Sequence, residues 1–348
     1  MAFDVDSVKL ARRGLLAGGG ALGLTGMLAA CGSGGDGEDS GDSGSSGPWS
    51  FTDDTGETVE LDQVPTKIVA FTGMAAALHD FGITPGAVFG PTTNEDGSAT
   101  SQAGNLPVDE LTVIGNTYGE FDIEAYIAFG PEVLMTHYYL DPASLWYVPA
   151  ESTEEITSFA PPVLLAADDG SNTLSDVIGR HAELAESLGA DLESEENTGA
   201  KERYDAAVET LRAAAAANPI TILACSGSAE YFYASNPVMA NDLRLFTELG
   251  VDFIVPDNPD ENGGAGGYFE SLSWENAGKY TADLLFLDAR ELTLQPDALA
   301  EFPTWNAMPA VEAGQITPWN SEPIYSYASA AANLEALAEA ITNAQKLT

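Results

Sequence analysis

The sequence is poor in positive charge. Of its 348 residues only 12 are Lys or Arg, against 54 Asp or Glu, and the formal net charge is −42. A field of that sign repels phosphate backbones, which excludes nucleic acid as a partner class. It also disfavours strongly anionic ligands unless a local basic pocket opposes it. Cysteine is scarce: Cys31 and Cys225 cannot build a disulfide framework. The three histidines, His79, His137 and His181, have no i, i+4 pair and no Cys nearby, so a dedicated zinc or manganese site is not expected. Long apolar runs are missing. Gly14 to Ala30 is uncharged but Gly-rich, and it falls short of the roughly 20 strongly apolar residues that span a bilayer. What is present is an ordinary globular composition, 45% hydrophobic and 19% charged. It excludes a wholly disordered chain, and the length suffices for two domains.

Residues 1–30 read as an address. Arg12 and Arg13 precede a mild apolar stretch that ends Leu28-Ala29-Ala30-Cys31. A basic start, an apolar middle and small residues before a cleavage point mark an export signal. The last four residues resemble the lipobox of bacterial lipoproteins, and the arginine pair resembles a Tat signal. That resemblance implies lipidation at Cys31 and anchoring to the outer face of the cytoplasmic membrane. Gly18, Gly20 and Gly23 satisfy G-x-G-x-x-G, but no strand precedes them and no βαβ unit follows, so no dinucleotide site is expected. Residues 32–48 are Gly, Ser, Asp, Glu and one Pro. Such a segment cannot bury enough apolar surface to offset its ordering entropy. With Cys31 it reads as a lipidated, flexible tether.

From Trp49 onward, short β-rich runs alternate with helical patterns, the signature of an α/β fold. Lys67 to Phe71, Val133 to Thr136 and Val163 to Ala166 read as buried strands, and Met74 to Phe81 as a helix. Leu174, Val177, Ile178, His181, Leu184, Ala185 and Leu188 follow 3.6 spacing. A second helix, rich in Ala and charge, is expected over 192–217 and ends at Asn218-Pro219. The strand pattern then restarts at Ile220 to Cys225. Asp122-Ile123-Glu124 stands before Pro131 to Met135 as Ser273-Trp274-Glu275 stands before Ala282 to Phe286. This self-similarity suggests two lobes of one design joined by the long helix.

These motifs carry a family resemblance. Val64 to Phe71, Ile114-Gly115-Asn116 leading into Asp122-Ile123-Glu124, Gly130 to Leu134, Leu272 to Glu275, and Trp305 with Pro309 to Ile316 resemble the iron-siderophore and cobalamin substrate-binding proteins of ABC importers. The resemblance covers nearly all of 49–348. It implies a class III periplasmic binding protein fold, with two Rossmann-like lobes joined by a single bridging helix. The corresponding boundaries are an N-terminal lobe at 49–190, a bridge at 191–218 and a C-terminal lobe at 219–348. Ligand would sit in the cleft between lobes.

Residues then take expected roles. Asp122 and Ser273 are good N-caps, which puts Glu124 and Glu275 at the second helical position. An acid there offsets the helix dipole by about 0.3–1 kcal/mol, which alone would justify either Glu. The resemblance adds that matching glutamates dock onto arginines of the permease, one per lobe. Tyr138, Tyr139, Trp146 and Tyr147 follow one strand and Tyr231 and Tyr233 another, while Tyr268 precedes the second Glu motif. Open α/β sheets bind ligands at strand carboxyl ends, so these rings are expected to line a cleft suited to a bulky apolar or cationic ligand. By motif position Tyr118, Tyr139 and Tyr268 match places where related hydroxamate-siderophore binders contact ligand. The basic residue often found near position 118 is absent. His137 ends a strand and is expected to reach the cleft. Arg290 is the basic residue expected at the cleft mouth, with a surface ion pair as the alternative.

The expected function is therefore capture of a ferric siderophore, of neutral or cationic hydroxamate type, and its delivery to an ABC permease with its ATPase. No reaction, no intrinsic cofactor and a monomer are expected. Cobalamin or haem binding in the same cleft, an exported cell-envelope enzyme, and a surface adhesion module are the alternatives.

Overall fold

The computed structural model describes residues 47–260 and 266–347. The export signal, the lipidation candidate Cys31 and the tether up to residue 46 lie outside the described residues. Strands β1 (Trp49–Thr52) and β2 (Thr58–Leu61) pair antiparallel as a separate hairpin. Trp49 and Phe51 are buried while Ser50 and Thr52 are exposed, the alternation of a strand with one solvated face.

A parallel sheet follows. It contains β3 (Ile68–Phe71), β4 (Ala87–Phe89), β5 (Thr112–Gly115), β6 (Val133–Tyr139) and β7 (Pro162–Asp168), in the order β5-β4-β3-β6-β7. Its strands are unbroken apolar runs because crossover helices cover both faces of parallel sheets. Helix α1 (Thr72–Asp80) links β3 to β4, α2 (Ile123–Phe129) links β5 to β6, and α3 (Thr153–Phe159) links β6 to β7. Helix α4 (Leu174–Ser187) starts with a capping box between Thr173 and Asp176, and it buries the 3.6-spaced face read from the sequence.

Helix α5 (Glu195–Ala217) carries the chain from the first sheet to the second. Its length matches the expected bridge. Ser194 caps its start, and its modest apolar stripe of Tyr204, Ala207, Leu211, Ala214 and Ala215 is buried. It packs along α10 (Tyr327–Asn343), where Arg203 makes a two-pronged ion pair with Glu335. Both ends are pinned by asparagine amides. Asn197 Nδ2 donates to Phe81 O and Asp191 O; Asn218 Nδ2 donates to Ile341 O and Ala344 O.

The second sheet is not a copy of the first. It holds β8 (Thr221–Gly227), β9 (Tyr231–Ser235), β11 (Phe269–Ser273), β12 (Leu284–Asp288) and β13 (Ile316–Trp319), in the order β11-β9-β8-β12-β13, with β10 (Asp252–Phe253) on β8. Its β8, β10, β12 and β13 are parallel, and β9 alone runs against them, pairing antiparallel with both β8 and β11. The link from Gly227 to Tyr231 is too short for a crossover and can only form a hairpin. Helix α6 (Asn241–Glu248) and the one-turn helices α7 (Pro296–Leu299), α8 (Pro303–Asn306) and α9 (Pro309–Glu312) complete this half. Cys225 is fully buried in β8, and burial raises its thiol well above the ordinary range. Both sheets belong to one unit, Gly44–Thr348. Among the described residues no helix is long and apolar enough to cross a membrane.

Gly115 ends β5 where the chain doubles back. A Cβ built there would stand 2.2 Å from Glu120 O, a backbone atom that cannot swing aside. Gly115→Ala is expected to cost about 1–3 kcal/mol, the usual penalty of overpacking. Urea unfolding checks this; an unchanged midpoint would mean that the turn yields freely.

Candidate functional site

The carboxyl ends of strands from both sheets meet around a cavity of about 400 Å³. That is within the range of small-ligand sites. Tyr139 ends β6, Asp168 ends β7 and Trp319 ends β13, while Arg290 follows β12 and Ser235 closes the reversed strand β9. This is where open α/β sheets place ligands, because the connections there are free of the strand ladder.

One wall is aromatic. Tyr139 and Trp146 have ring centroids 4.6 Å apart, and Tyr147 lies 5.6 Å from Trp146. The 140–147 loop that carries Trp146 and Tyr147 is bracketed by Leu140 and Tyr147, the two non-glycine residues with positive φ among the described residues. Such backbone costs of order 1–3 kcal/mol each and persists only where surroundings enforce it. Here Leu140 N donates to Asp168 O, Trp146 N donates to His137 O, and Thr136 Oγ1 donates to Trp146 O. Tyr268 and Phe269 line another part of the cavity.

Charge is concentrated in two clusters. Arg290 Nη2 lies 2.7 Å from Asp288 Oδ2 and its Nη1 pairs with Glu322. Burial alone would lower the guanidinium's pKa, but Glu322 and Asp288 together hold it raised. Glu322 also accepts from Trp146 Nε1 and Gln102 Nε2, both on the first-sheet side. Burial raises its carboxyl, with Arg290 opposing. In the second cluster Arg244 Nη2 donates to Asp168 Oδ1 at 2.9 Å, and burial raises the Asp168 carboxyl against that bond. Asp242 accepts from Trp319 Nε1 at 2.6 Å, and burial pushes its carboxyl up to about 7. The site thus sets four carboxylates against two guanidinium groups. These contacts also tie the two halves: Asn241 Nδ2 donates to Ala167 O, and Arg244 Nε to Asn172 O.

The periplasmic binding protein family model matches residues 70–323. The chain belongs to that family. DesE, a ferric-siderophore receptor protein from Streptomyces coelicolor, is 47% identical over 86% of this chain and 100% of its own, with a TM-score of 0.83. FeuA from Bacillus subtilis, a triscatecholate siderophore binding protein complexed with ferri-bacillibactin, is 17% identical, covering 82% and 95% of the two chains, with a TM-score of 0.58. FhuD2 from Staphylococcus aureus with bound ferrioxamine B is 14% identical, covering 79% and 98%, with a TM-score of 0.53. The last two share the fold. No curated protein matches the chain.

In this binding protein, four of the residues expected at the ligand line the cavity: Tyr139, Trp146, Tyr268 and Arg290. Arg290 lines the cavity, and its ion pairs are with the buried acids Asp288 and Glu322, not with acids on the surface. Tyr118 is 65% exposed and packs its ring on Trp146 and Tyr147 at the edge of the aromatic wall. Tyr147 is buried behind that wall, against Phe71. Four expectations are corrected. Strand β6 continues to Tyr139 by pairing with β7, with a register shift between Tyr138 and Tyr139. Tyr138 does not line the cavity and donates to Asp54 O. His137 is buried and does not reach the cavity. Tyr231 and Tyr233 lie within β9 rather than in a loop after β8; Tyr233 packs on Phe269, and neither lines the cavity. Glu124 is exposed in the first turn of α2, where Asp122 caps Ala125 N. Glu275 is exposed in the first turn of a 3-10 helix, Trp274–Lys279, too short to continue as α. Asp168, Asn241, Asp242, Trp319, Glu322 and Tyr325 also line the cavity and were not anticipated. Asp168 and Trp319 carried a usable signal, a polar or aromatic residue closing an apolar strand run.

The histidines are not isolated. His137 Nε2 lies 2.8 Å from His181 Nε2 in the core beneath Tyr325. His181 Nδ1 faces the carbonyl of Val177, which can only accept. The proton on that nitrogen leaves Nε2 to accept from His137. Among the described residues no group of His, Cys, Asp and Glu could hold a metal ion. Burial lowers both imidazoles, His181 to about 4. Between about pH 4 and 6.5 the unfolded chain binds protons the folded one refuses, so this pair makes stability rise with pH. Asp242 has the opposite sign. Folded, it keeps a proton up to about 7 that the unfolded chain releases near 3.8. Its contribution therefore falls as pH rises through that window. Asp242→Asn is expected to make the rise of stability from pH 4.5 to 6.5 steeper by up to about 1.4 kcal/mol per pH unit. Urea unfolding at three pH values checks this, and an unchanged slope would contradict it.

Proposed function

We propose that the protein captures a ferric siderophore in this cavity and delivers it to an ABC importer permease for iron uptake. The iron travels as part of the chelate, and the protein carries its cargo without chemical change. The observation that carries the reading is an aromatic wall facing an acid-rich cavity, in a chain 47% identical to a ferric-siderophore receptor over that receptor's full length. The charge balance favours a neutral or cationic hydroxamate complex. A triply anionic catecholate complex would have to enter a low-dielectric space where carboxylates outnumber guanidinium groups, and each uncompensated buried charge costs several kcal/mol. Tyr139, Trp146 and Tyr268 offer π faces to such a ligand.

The wider reading keeps the lobes at 49–190 and 219–348 with the bridge at 191–218. It keeps export through the arginine-pair signal, lipid anchoring at Cys31 and a monomeric carrier at the membrane's outer face. Glu124 and Glu275 serve as one docking acid per lobe. Rim charges of this kind speed and orient encounter more than they add affinity.

Trp146 and Trp319 lie at the cavity, so intrinsic emission reports occupancy. Titration with a ferric trihydroxamate should give saturable quenching, and with a ferric triscatecholate, cobalamin or haem none. Trp146→Ala and Tyr268→Ala should each weaken hydroxamate binding about tenfold. Tight catecholate binding without hydroxamate binding would overturn the ligand class. Separately, the double variant Glu124→Ala, Glu275→Ala should keep ligand affinity and lose uptake by whole cells. Loss of ligand binding in that variant would refute the docking role.

A further inference from the structure

We propose that Asp242 couples proton uptake to occupancy of the cavity: it takes up a proton when a neutral cargo fills the space, and that cargo is therefore held more tightly at lower pH. The proposal rests on the siderophore reading and adds a regulation of the same site.

Asp242 stands in a partition. It lines the strand-end cavity of about 400 Å³ and also a second, smaller cavity of about 130 Å³, and so does Trp319. The bond from Trp319 Nε1 to Asp242 Oδ2, 2.6 Å long, joins the two residues in that shared wall. The smaller cavity is mainly apolar, with Leu174, Phe246 and Phe286 among its walls. The solvation left to this carboxyl, on a residue 3% exposed, therefore depends on what fills the larger space.

Among the described residues no cation is paired with it. Its donors are Trp319 Nε1 and Leu243 N, both neutral. Arg244, on the same helix, is turned to Asp168, and Arg290 to Asp288 and Glu322. The donors and the start of α6 favour the charged form, but burial outweighs them and lifts the carboxyl to about 7. A group poised there answers a small further loss of solvation. A neutral chelate that replaces water in the larger cavity takes solvation mostly from the ionised form, whether or not it touches the carboxyl.

The neighbours do not share this response. Burial raises Tyr139, Tyr268 and Tyr325, which stay protonated near neutrality, and lowers His137 and His181, which stay neutral. Asp168 and Glu322 are raised as well, but each is held by a guanidinium. The sign follows. With the cavity open, Asp242 ionises near 7; with it filled, at higher pH. Well below 7 it is protonated in both states, and above that the filled form binds more proton, so affinity falls as pH rises.

Calorimetric titration of the full chain with a neutral ferric trihydroxamate, at pH 7.5 in two buffers of different ionisation enthalpy, reads the protons taken up. For a rise of about one pH unit in the carboxyl's midpoint, about half a proton per chelate is expected, and Kd about fivefold larger at pH 8 than at pH 6. Asp242→Asn keeps an acceptor for Trp319 and cannot ionise, so both effects should vanish there, whatever its absolute affinity. Equal heats in the two buffers from the native chain, or a pH slope that survives in the variant, would overturn the coupling and leave the siderophore reading in place. No binding of the chelate at any pH would overturn both.

Discussion

Asn197 and Asn218 hold the two ends of α5 through side-chain amides, and the geometry of the site depends on that grip. Each amide spans two backbone carbonyls, those of Phe81 and Asp191 at one end and those of Ile341 and Ala344 at the other. One fastens the helix to the C-terminus of α1, beneath the first sheet. The other fastens it to the end of α10, behind the second. A helix anchored at both ends and packed along α10 transmits position rather than bending. The strand ends of the two sheets face one another across the cavity.

Buried charge is arranged in pairs across that cavity. Arg244 reaches from α6 to Asp168, and Glu322 collects Arg290 from its own side and Trp146 and Gln102 from the other. Each pair is partly desolvated, so each group survives only because its partner is held in register. Carboxylates still outnumber guanidinium groups.

Much of this arrangement was legible in the sequence. The bridging helix announced itself through its run rich in Ala and charge over 192–217 and Asn218-Pro219 at its end. The strands were unbroken apolar runs, and Arg290 could be placed because so few basic residues compete with it. What was not legible depended on partners distant in the chain. Tyr138 and Tyr139 could not be assigned to faces until pairing with β7 extended β6 past Thr136. His137 and His181 meet only because α4 packs on the first sheet. The acids at the cavity escaped notice among 54 others, since composition gives no means of telling a solvated carboxylate from a buried one. The mixed order of the second sheet was hidden for a similar reason: the repeated motifs mark helix starts and strand entries, not strand direction.

The loop between Leu140 and Tyr147 combines two properties. Its strained ends and its aromatic rings belong to the recognition surface, while the sheets beneath take their cohesion from buried aliphatic strands. Within it Trp146 faces the cavity, while Leu145 beside it is buried in the core. One loop thus serves the cavity and the packing beneath it at the same time.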